Sequence, residues 1–266
     1  MIMPKFKILK SLLLPLLIAI FCTSWTVAAS AATATFPDET LHYVATYKWG
    51  LIHKEAGTAT LSLRKNGSQY RLTLTGRTKP WADKFFAVRD TLTSIVDAST
   101  LRPARYTKRA HEGGYFSYDD VRFTHSGQNV KGALTRRRIN KKGEHSENHK
   151  TLTAQGATFD MLSVFYYLRT INYAELASKG AIKVNIFSGD ETETLTIRSL
   201  GRQRIKLRDD SYREAWHIRF RFTSHGGRKS SDDIDAWLST SAQHIPYQII
   251  GKLKIGEVRV YWEPPK

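Results

Sequence analysis

The chain has 266 residues, a formal charge of +17 and a single cysteine, Cys22. This length is sufficient for one all-β domain, and the charge favours anionic partners such as phospholipids, phosphorylated glycolipids, acidic polysaccharides or nucleic acid. A single cysteine excludes a disulfide within the chain, so an ordinary hydrophobic core has to stabilise the fold.

Residues 1–31 have the pattern of a secretory signal peptide. A lysine-containing start precedes a run of about ten apolar residues, and Ala29-Ser30-Ala31 fits a small-x-small cleavage site. The run is too short to cross a bilayer as a helix, which needs about twenty residues. We therefore expect export to the periplasm after cleavage near Ala31, one β-rich domain over 32–266, and no transmembrane segment in it. Export also removes nucleic acid from the expected partners.

A β-hairpin is predicted around "RKNGSQ", because alternating apolar residues flank it on both sides. Asn66 and Gly67 both accept the positive φ that tight hairpin turns require. About a dozen short strands, separated by turn residues at close intervals, continue to the C-terminus. This pattern predicts an antiparallel meander rolled into a barrel or sandwich.

The segment "YREAWHIRFRF" shows how these strands alternate. Trp216 and Phe220 fall on one face of such a strand, while Arg219 and Arg221 fall on the other. The aromatic face is expected to meet a core, and the cationic face to meet water or an anionic partner.

"TFDMLSVFYYLRTINY" is the longest stretch with helical periodicity. Thr158 is in position to cap a helix, Asp160 suits its positive N-terminus and Arg169 suits its C-terminus. We expect one helix near 158–171 that plugs an open end of the rolled sheet.

This helix, together with "LHYVATYKWGLIHKEAGTATL", "DTLTSIVDASTLRPARY", "AWLST" and "IPYQI", resembles the exported bacterial family DUF3108 from about Leu41 to Trp262. The resemblance implies an all-β fold, a large antiparallel meander curled into a half-barrel, and no established activity. Four residues match the family's helix motif, and we expect them to be structural rather than catalytic: Asp160, Ser163, Tyr167 and Arg169.

Recognised catalytic and metal-binding motifs are absent from the sequence, so no catalytic residue, metal or cofactor is expected. A nucleophilic set of Asp160, Ser163 and a histidine remains an alternative that only geometry decides. His145 and His149 would lie about 13 Å apart in an extended segment, too far to share one metal ion. The acidic group at 232–235 lacks the glycine and glutamate of a calcium loop.

A basic cluster surrounds the turn predicted within "TRRRINKK", and it consists of Arg136, Arg137, Arg138, Lys141 and Lys142. These residues are candidates for binding an anionic lipid, glycolipid or polysaccharide of the cell envelope. The alternative is that they protect strand edges against aggregation.

Two functions are therefore weighed ahead of an enzyme. The first is a carrier whose concave face, including Trp216, Phe220 and Phe165, holds an anionic lipid or glycolipid. The second is a structural or assembly factor that binds envelope proteins or polysaccharide through exposed aromatic residues. The segment 78–88, "TKPWADKFFAV", is expected to be an exposed aromatic loop suited to that role.

Overall fold

The computed structural model describes residues 35–224, 230–253 and 255–265. In this part of the chain fifteen strands and three helices follow in order: β1 Glu39–Trp49, β2 Ile52–Asn66, β3 Gln69–Thr78, α1 Pro80–Phe86, β4 Val88–Asp97, β5 Pro103–Glu112, β6 Tyr115–Ser126, β7 Asn129–Ile139, β8 His145–Gln155, β9 Thr158–Asp160, α2 Ser163–Leu168, α3 Tyr173–Lys179, β10 Ile182–Ser188, β11 Glu191–Lys206, β12 Tyr212–Ser224, β13 Ile234–Ser239, β14 Pro246–Lys252 and β15 Glu257–Glu263. The predicted signal peptide, including Cys22, lies outside the described residues.

All strands belong to one sheet, which is curled into a nearly closed barrel. Its order runs from β8 back to β1, continues with β15, and then runs back to β9. Neighbouring strands are antiparallel, except that β9 and β10 are parallel. The predicted all-β meander, curled and plugged by a helix, is confirmed, and β1 paired with β15 joins its two halves.

The period of two predicted for the strands is clear in β4. Val88, Asp90, Leu92, Ser94 and Val96 are buried, and the residues between them are more exposed. Because residues paired across antiparallel strands share a face, this register assigns the inward positions of neighbouring strands as well.

The predicted hairpin at "RKNGSQ" is also confirmed, but its turn lies one residue further along. Asn66 pairs with Gln69, so Gly67 and Ser68 form the two-residue loop. Of these residues Gly67 has a positive φ of 58°. A glycine at the first loop position is typical of a type II′ turn, which does not need positive φ at the second.

The segment predicted as one helix from Thr158 forms β9 first, and α2 spans only Ser163–Leu168. Thr158 therefore does not cap a helix. Instead the Asp160 carboxylate accepts hydrogen bonds at 2.8 Å from the backbone amides of Leu162 and Ser163, which turns the chain into α2. α2 is buried on nearly all sides, as expected for a helix that fills the interior of a barrel.

The segment "TKPWADKFFAV" is not a loop, because its centre forms α1. Pro80 occupies the first turn, where its missing amide hydrogen has no helical partner to lose. Asp83 binds the Thr78 hydroxyl and Arg89, which fixes α1 against the adjoining strands.

Side chains close the seam where the β8 edge meets the β10–β11 hairpin. Lys150 donates to the Asp190 carbonyl at 2.7 Å, and the Thr192 hydroxyl donates to the Thr153 carbonyl at 3.2 Å. No backbone ladder is described between these strands. Individual side chains therefore determine how the barrel closes.

Arg136 connects the two sides of this seam through ion pairs. Its guanidinium binds both carboxylate oxygens of Asp119 on β6 at 2.7 Å and also binds Asp190 at 2.7 Å. Arg136 and Asp119 are both buried. Arg136 thus joins β6 and β7 to the β10–β11 turn on the other side of the seam.

Arg136→Ala is expected to lower the free energy of unfolding by about 3–5 kcal/mol, because it leaves the buried Asp119 carboxylate without its partner. The adjacent Arg137 is a matched control, since it forms an exposed ion pair with Glu147. Arg137→Ala should leave the urea midpoint nearly unchanged, because water and salt screen an exposed ion pair. Urea denaturation measures both variants, and a similar loss of stability in the two would show that Arg136 does not connect the sides of the seam.

Candidate functional site

The interior of the barrel is filled at one end and less densely filled at the other. We call the end that holds α2 the helix end, and the end with the β1–β2, β5–β6, β7–β8 and β14–β15 turns and α1 the distal end. On the inward face of β3, Tyr70 and Leu72 are buried near the helix end. Further along the same face, Leu74 and Gly76 are only half-buried.

Small and apolar residues form one part of the distal inner wall. Ala45, Val260 and Ile249 are paired across β1, β15 and β14, so they face the same side. All three are half-buried. A side-chain carbon at Gly76, which pairs with Ala59, would meet no atom of the described residues within 4 Å. The inner surface at this end therefore has room beside it.

Charged residues form the part of the inner wall on β4 and β5. Lys108 lies 2.9 Å from Glu112 and 3.8 Å from Asp90. Burial raises the pKa of Asp90 to about 7, Lys108 acts in the opposite direction, and Glu112 raises the pKa further. One oxygen of Asp90 is buried and has no hydrogen-bond partner in the described structure.

A row of inward positions leads from this cluster to an exposed arginine. Asp90 pairs with Ala110, Ala110 with Ser117, and Ser117 with Arg138. Arg138 is exposed, unlike Arg136 two residues earlier on the same face. The distal interior thus combines an apolar wall, a charged cluster and a guanidinium near its mouth.

The structure separates the five predicted basic residues. Arg136 is buried in the seam, so its placement in an accessible basic cluster was wrong: Asp119 and Asp190 already neutralise it. Arg137 binds Glu147 outside, and Arg138 faces inward. Lys141 and Lys142 are exposed in the β7–β8 turn.

The two predicted aromatic ligand residues, Trp216 and Phe220, both belong to the hydrophobic core. Trp216 lies at the helix end, 6.2 Å from Tyr173 between ring centroids and beneath the guanidinium of Arg202. Phe220 pairs with Ile234, which pairs with Gly251, so it adjoins the distal wall. Phe165 is half-buried against the same core.

The cationic face predicted for β12 is neutralised by the next strand and the segment before it. Arg219 binds Asp235 at 2.9 Å, and Arg221 binds Asp233. His217 also bonds Asp235 and stacks on Trp237 with ring centroids 4.6 Å apart. These arginines therefore have carboxylate partners within the sheet.

The first half of the family motif fixes α2 to β4. The Ser94 hydroxyl donates to Asp160 at 2.6 Å, and Ser163 Oγ accepts from the Asp160 amide at 3.0 Å. Burial raises the pKa of Asp160, although these hydrogen bonds oppose the shift. Among the described contacts of Ser163 there is no imidazole, so the geometry does not assemble a nucleophilic set.

The second half of the motif fixes α2 to β1. The buried Arg169 guanidinium binds the Glu39 carboxylate and donates to the Gln243 carbonyl at 2.9 Å. It also lies 4.8 Å from the Phe36 ring centroid and 5.1 Å from that of Tyr166.

Tyr167, the remaining motif residue, stacks on Phe159 with ring centroids 4.5 Å apart. Each of the four motif residues therefore has a structural contact.

The motif and the fold agree with comparison to known proteins. The family described as "Protein of unknown function (DUF3108)" matches residues 42–263. The chain belongs to the DUF3108 family. No functionally curated protein shows detectable similarity to it.

The fold of this DUF3108 protein is similar to the crystal structure of a beta-barrel-like protein of domain of unknown function DUF1849 from Brucella abortus. The TM-score is 0.59 and the identity is 12%, with 86% of this chain and 97% of the other covered. This similarity supports the barrel-like architecture.

Two further findings concern membranes and metals. None of the helices within the described ranges is long and apolar enough to cross a membrane. In the same ranges no group of three or more His, Cys, Asp or Glu side chains is arranged to hold a metal ion.

Four interior polar residues were not predicted from the sequence: Asp90, Ser94, Lys108 and Glu39. A signal was present in "VRDTLTSIVD", because Asp90 and Ser94 interrupt the otherwise apolar face formed by Val88, Leu92 and Val96. A polar residue on a buried strand face needs a partner, so such interruptions mark interior polar contacts.

Asp160→Ala is expected to destabilise the DUF3108 protein by about 3 kcal/mol or more. The substitution leaves one hydroxyl and two backbone amides in the core without their acceptor, and each unmade bond costs about 1–3 kcal/mol. Ser163→Ala should cost about 1 kcal/mol, because it removes one neutral acceptor. Urea denaturation tests both, and a fully stable Asp160→Ala protein would contradict the structural role.

The raised pKa of Asp90 predicts a pH-dependent contribution to stability. Between about pH 4 and pH 7 the folded protein retains a proton on Asp90 that the unfolded chain releases, so this group lowers stability as pH rises. Because Asp90→Asn does not titrate, its stability relative to the native chain should increase from pH 5 to pH 8.

Asp97→Asn is the control for this experiment. Hydrogen bonds from Ser99 and Thr100 lower the pKa of Asp97 to about 2, so its contribution is constant over the same pH range. Urea midpoints at several pH values measure both differences. An Asp90→Asn difference that stays constant with pH would contradict the prediction.

Proposed function

We propose that this DUF3108 protein is an exported periplasmic protein that binds an anionic lipid or glycolipid in the distal end of its barrel, without catalysing a reaction. The main support is the half-buried inner wall, where Gly76 faces a space that none of the described residues fills. Folded proteins fill their interiors densely, so room beside an apolar wall favours a ligand.

An acyl chain is the ligand that this wall suits best. Ala45, Ala59, Ile249 and Val260 offer apolar surface without polar groups that would need hydrogen bonds. Each methylene removed from water contributes about 0.8 kcal/mol, so even part of one acyl chain gives substantial affinity.

The anionic head group would lie towards β7. Lys108 lies near two carboxylates and is half-buried, whereas Arg138, near Asp190, presents an exposed guanidinium on the inward row. Arginine binds phosphate and carboxylate groups through two parallel hydrogen bonds. Lys141 and Lys142, in the turn that follows β7, would add positive charge near the head group.

Export is part of this proposal and is supported by the sequence of residues 1–31. The alternative is an assembly factor that binds envelope proteins or polysaccharide through exposed aromatic residues. The unfilled distal wall favours the carrier, because an assembly factor does not need room inside its barrel.

The test is native mass spectrometry of protein prepared from the periplasm without detergent, followed by organic extraction. We expect a lipid adduct that is released on denaturation. Gly76→Phe should remove the adduct and leave the melting temperature nearly unchanged, because the ring enters open space and the Gly76 φ is not in the left-handed region.

Thr75→Phe is the matched control, since Thr75 is the exposed, outward-facing neighbour on β3. It should keep the adduct. The proposal is wrong if the native chain remains free of lipid after incubation with an envelope lipid extract, or if Gly76→Phe binds lipid as the control does.

A further inference from the structure

The most exposed large apolar side chains are concentrated at the distal end. Leu51 is fully exposed, Phe85 is 77% exposed, Trp49 54% and Ile255 52%. Trp49 and Leu51 lie at the β1–β2 turn, Phe85 in α1 and Ile255 in the β14–β15 turn. These four residues are here called the distal tips.

Contacts between neighbouring connections hold the tips along one rim. The Tyr47 hydroxyl donates to the Ile255 carbonyl at 3.0 Å, which links the end of β1 to the β14–β15 turn. The Trp81 indole donates to the Glu55 carbonyl at 2.6 Å, which links α1 to β2. The tips therefore project from a common edge of the barrel.

Exposed lysines surround the tips: Lys48, Lys54, Lys84 and Lys252. Three carboxylates close to the tips are each bound by basic side chains. Glu55 is paired with Lys79 and Arg208.

Asp83 is paired with Arg89, and Glu257 is paired with Arg259 and lies 3.9 Å from Lys48. The lysines thus give the rim a positive field around its apolar residues.

We propose that this rim docks on the surface of an anionic phospholipid bilayer, with the four tips inserted at the interface. Separate apolar tips on short turns suit a fluid surface, which adapts to each of them. Tryptophan favours the head-group region, and basic residues beside it attract anionic lipids.

This inference uses residues outside the interior site and does not require a lipid inside the barrel. If both proposals hold, docking places the mouth of the interior against the bilayer. The two are separated by their variants, because Gly76→Phe leaves the tips intact.

Vesicle co-sedimentation tests the docking. The native chain should bind mixed phosphatidylglycerol–phosphatidylcholine vesicles and bind pure phosphatidylcholine vesicles much more weakly. The double variant Leu51→Ser/Phe85→Ser should lower the partition coefficient about tenfold or more, since burial of large apolar side chains drives insertion.

Leu200→Ser/Tyr212→Ser is the matched control, because both side chains are exposed and lie on β11 and β12, outside the four distal tips. It should bind vesicles within about twofold of the native chain, since its distal tips are unchanged. Circular dichroism checks that both double variants are folded.

Three results would overturn the docking proposal. These are no binding of the native chain to anionic vesicles, equal loss in both double variants, or equal binding to both kinds of vesicle. Self-association that depends on the tips, without vesicle binding, would assign the rim to a second copy of the chain instead. Gly76→Phe should still bind vesicles, and Leu51→Ser/Phe85→Ser should still carry any interior lipid.

Discussion

The structure depends on one constraint of volume. A closed sheet of about eight strands is filled by its own side chains, whereas a sheet of fifteen encloses more space than they occupy. The segment from β9 through α3 fills the helix end, and α2 is accordingly apolar and buried around nearly its whole circumference. Because this segment is short, it does not reach the distal half, where small inward residues such as Ala45, Ala59 and Gly76 remain half-buried.

Polar contacts determine where the filling segment lies. Asp160 binds Ser94 on β4, and Arg169 binds Glu39 at the start of β1. Burying such charges is costly, and several hydrogen bonds to each group are needed to offset the loss of water. Apolar packing alone would tolerate small shifts of α2, whereas these directional contacts fix one position. All four motif residues belong to one short segment, but their partners are distant in sequence. Ser94 lies 66 residues from Asp160, and Glu39 lies 130 residues from Arg169.

The strands and the family could be predicted from the sequence because both depend on local patterns. The period of two, the glycine turns and the α2 motif all survive in the structure. The helix boundaries could not be predicted, since the chain before α2 pairs with the distant β10 and Asp160 then turns it into the helix. The burial of Arg136 could not be predicted either: it requires Asp190, 54 residues away, to close the seam beside it. Asp90 and Ser94 were recognisable, because they interrupt an apolar strand face.

The electrostatic field outside the barrel depends on which basic residues are bound to carboxylates. Arg136, Arg219 and Arg221 each bind a carboxylate of the same chain, so they contribute little to the field outside. Exposed lysines also flank the distal rim, and within the described ranges neither Lys84 nor Lys252 forms an ion pair. Since α2 occupies the opposite end, the unfilled part of the interior and the basic, apolar rim share one end. The two proposals therefore concern neighbouring surfaces: the rim would contact lipid head groups, and the half-buried inner wall beside it would contact acyl chains.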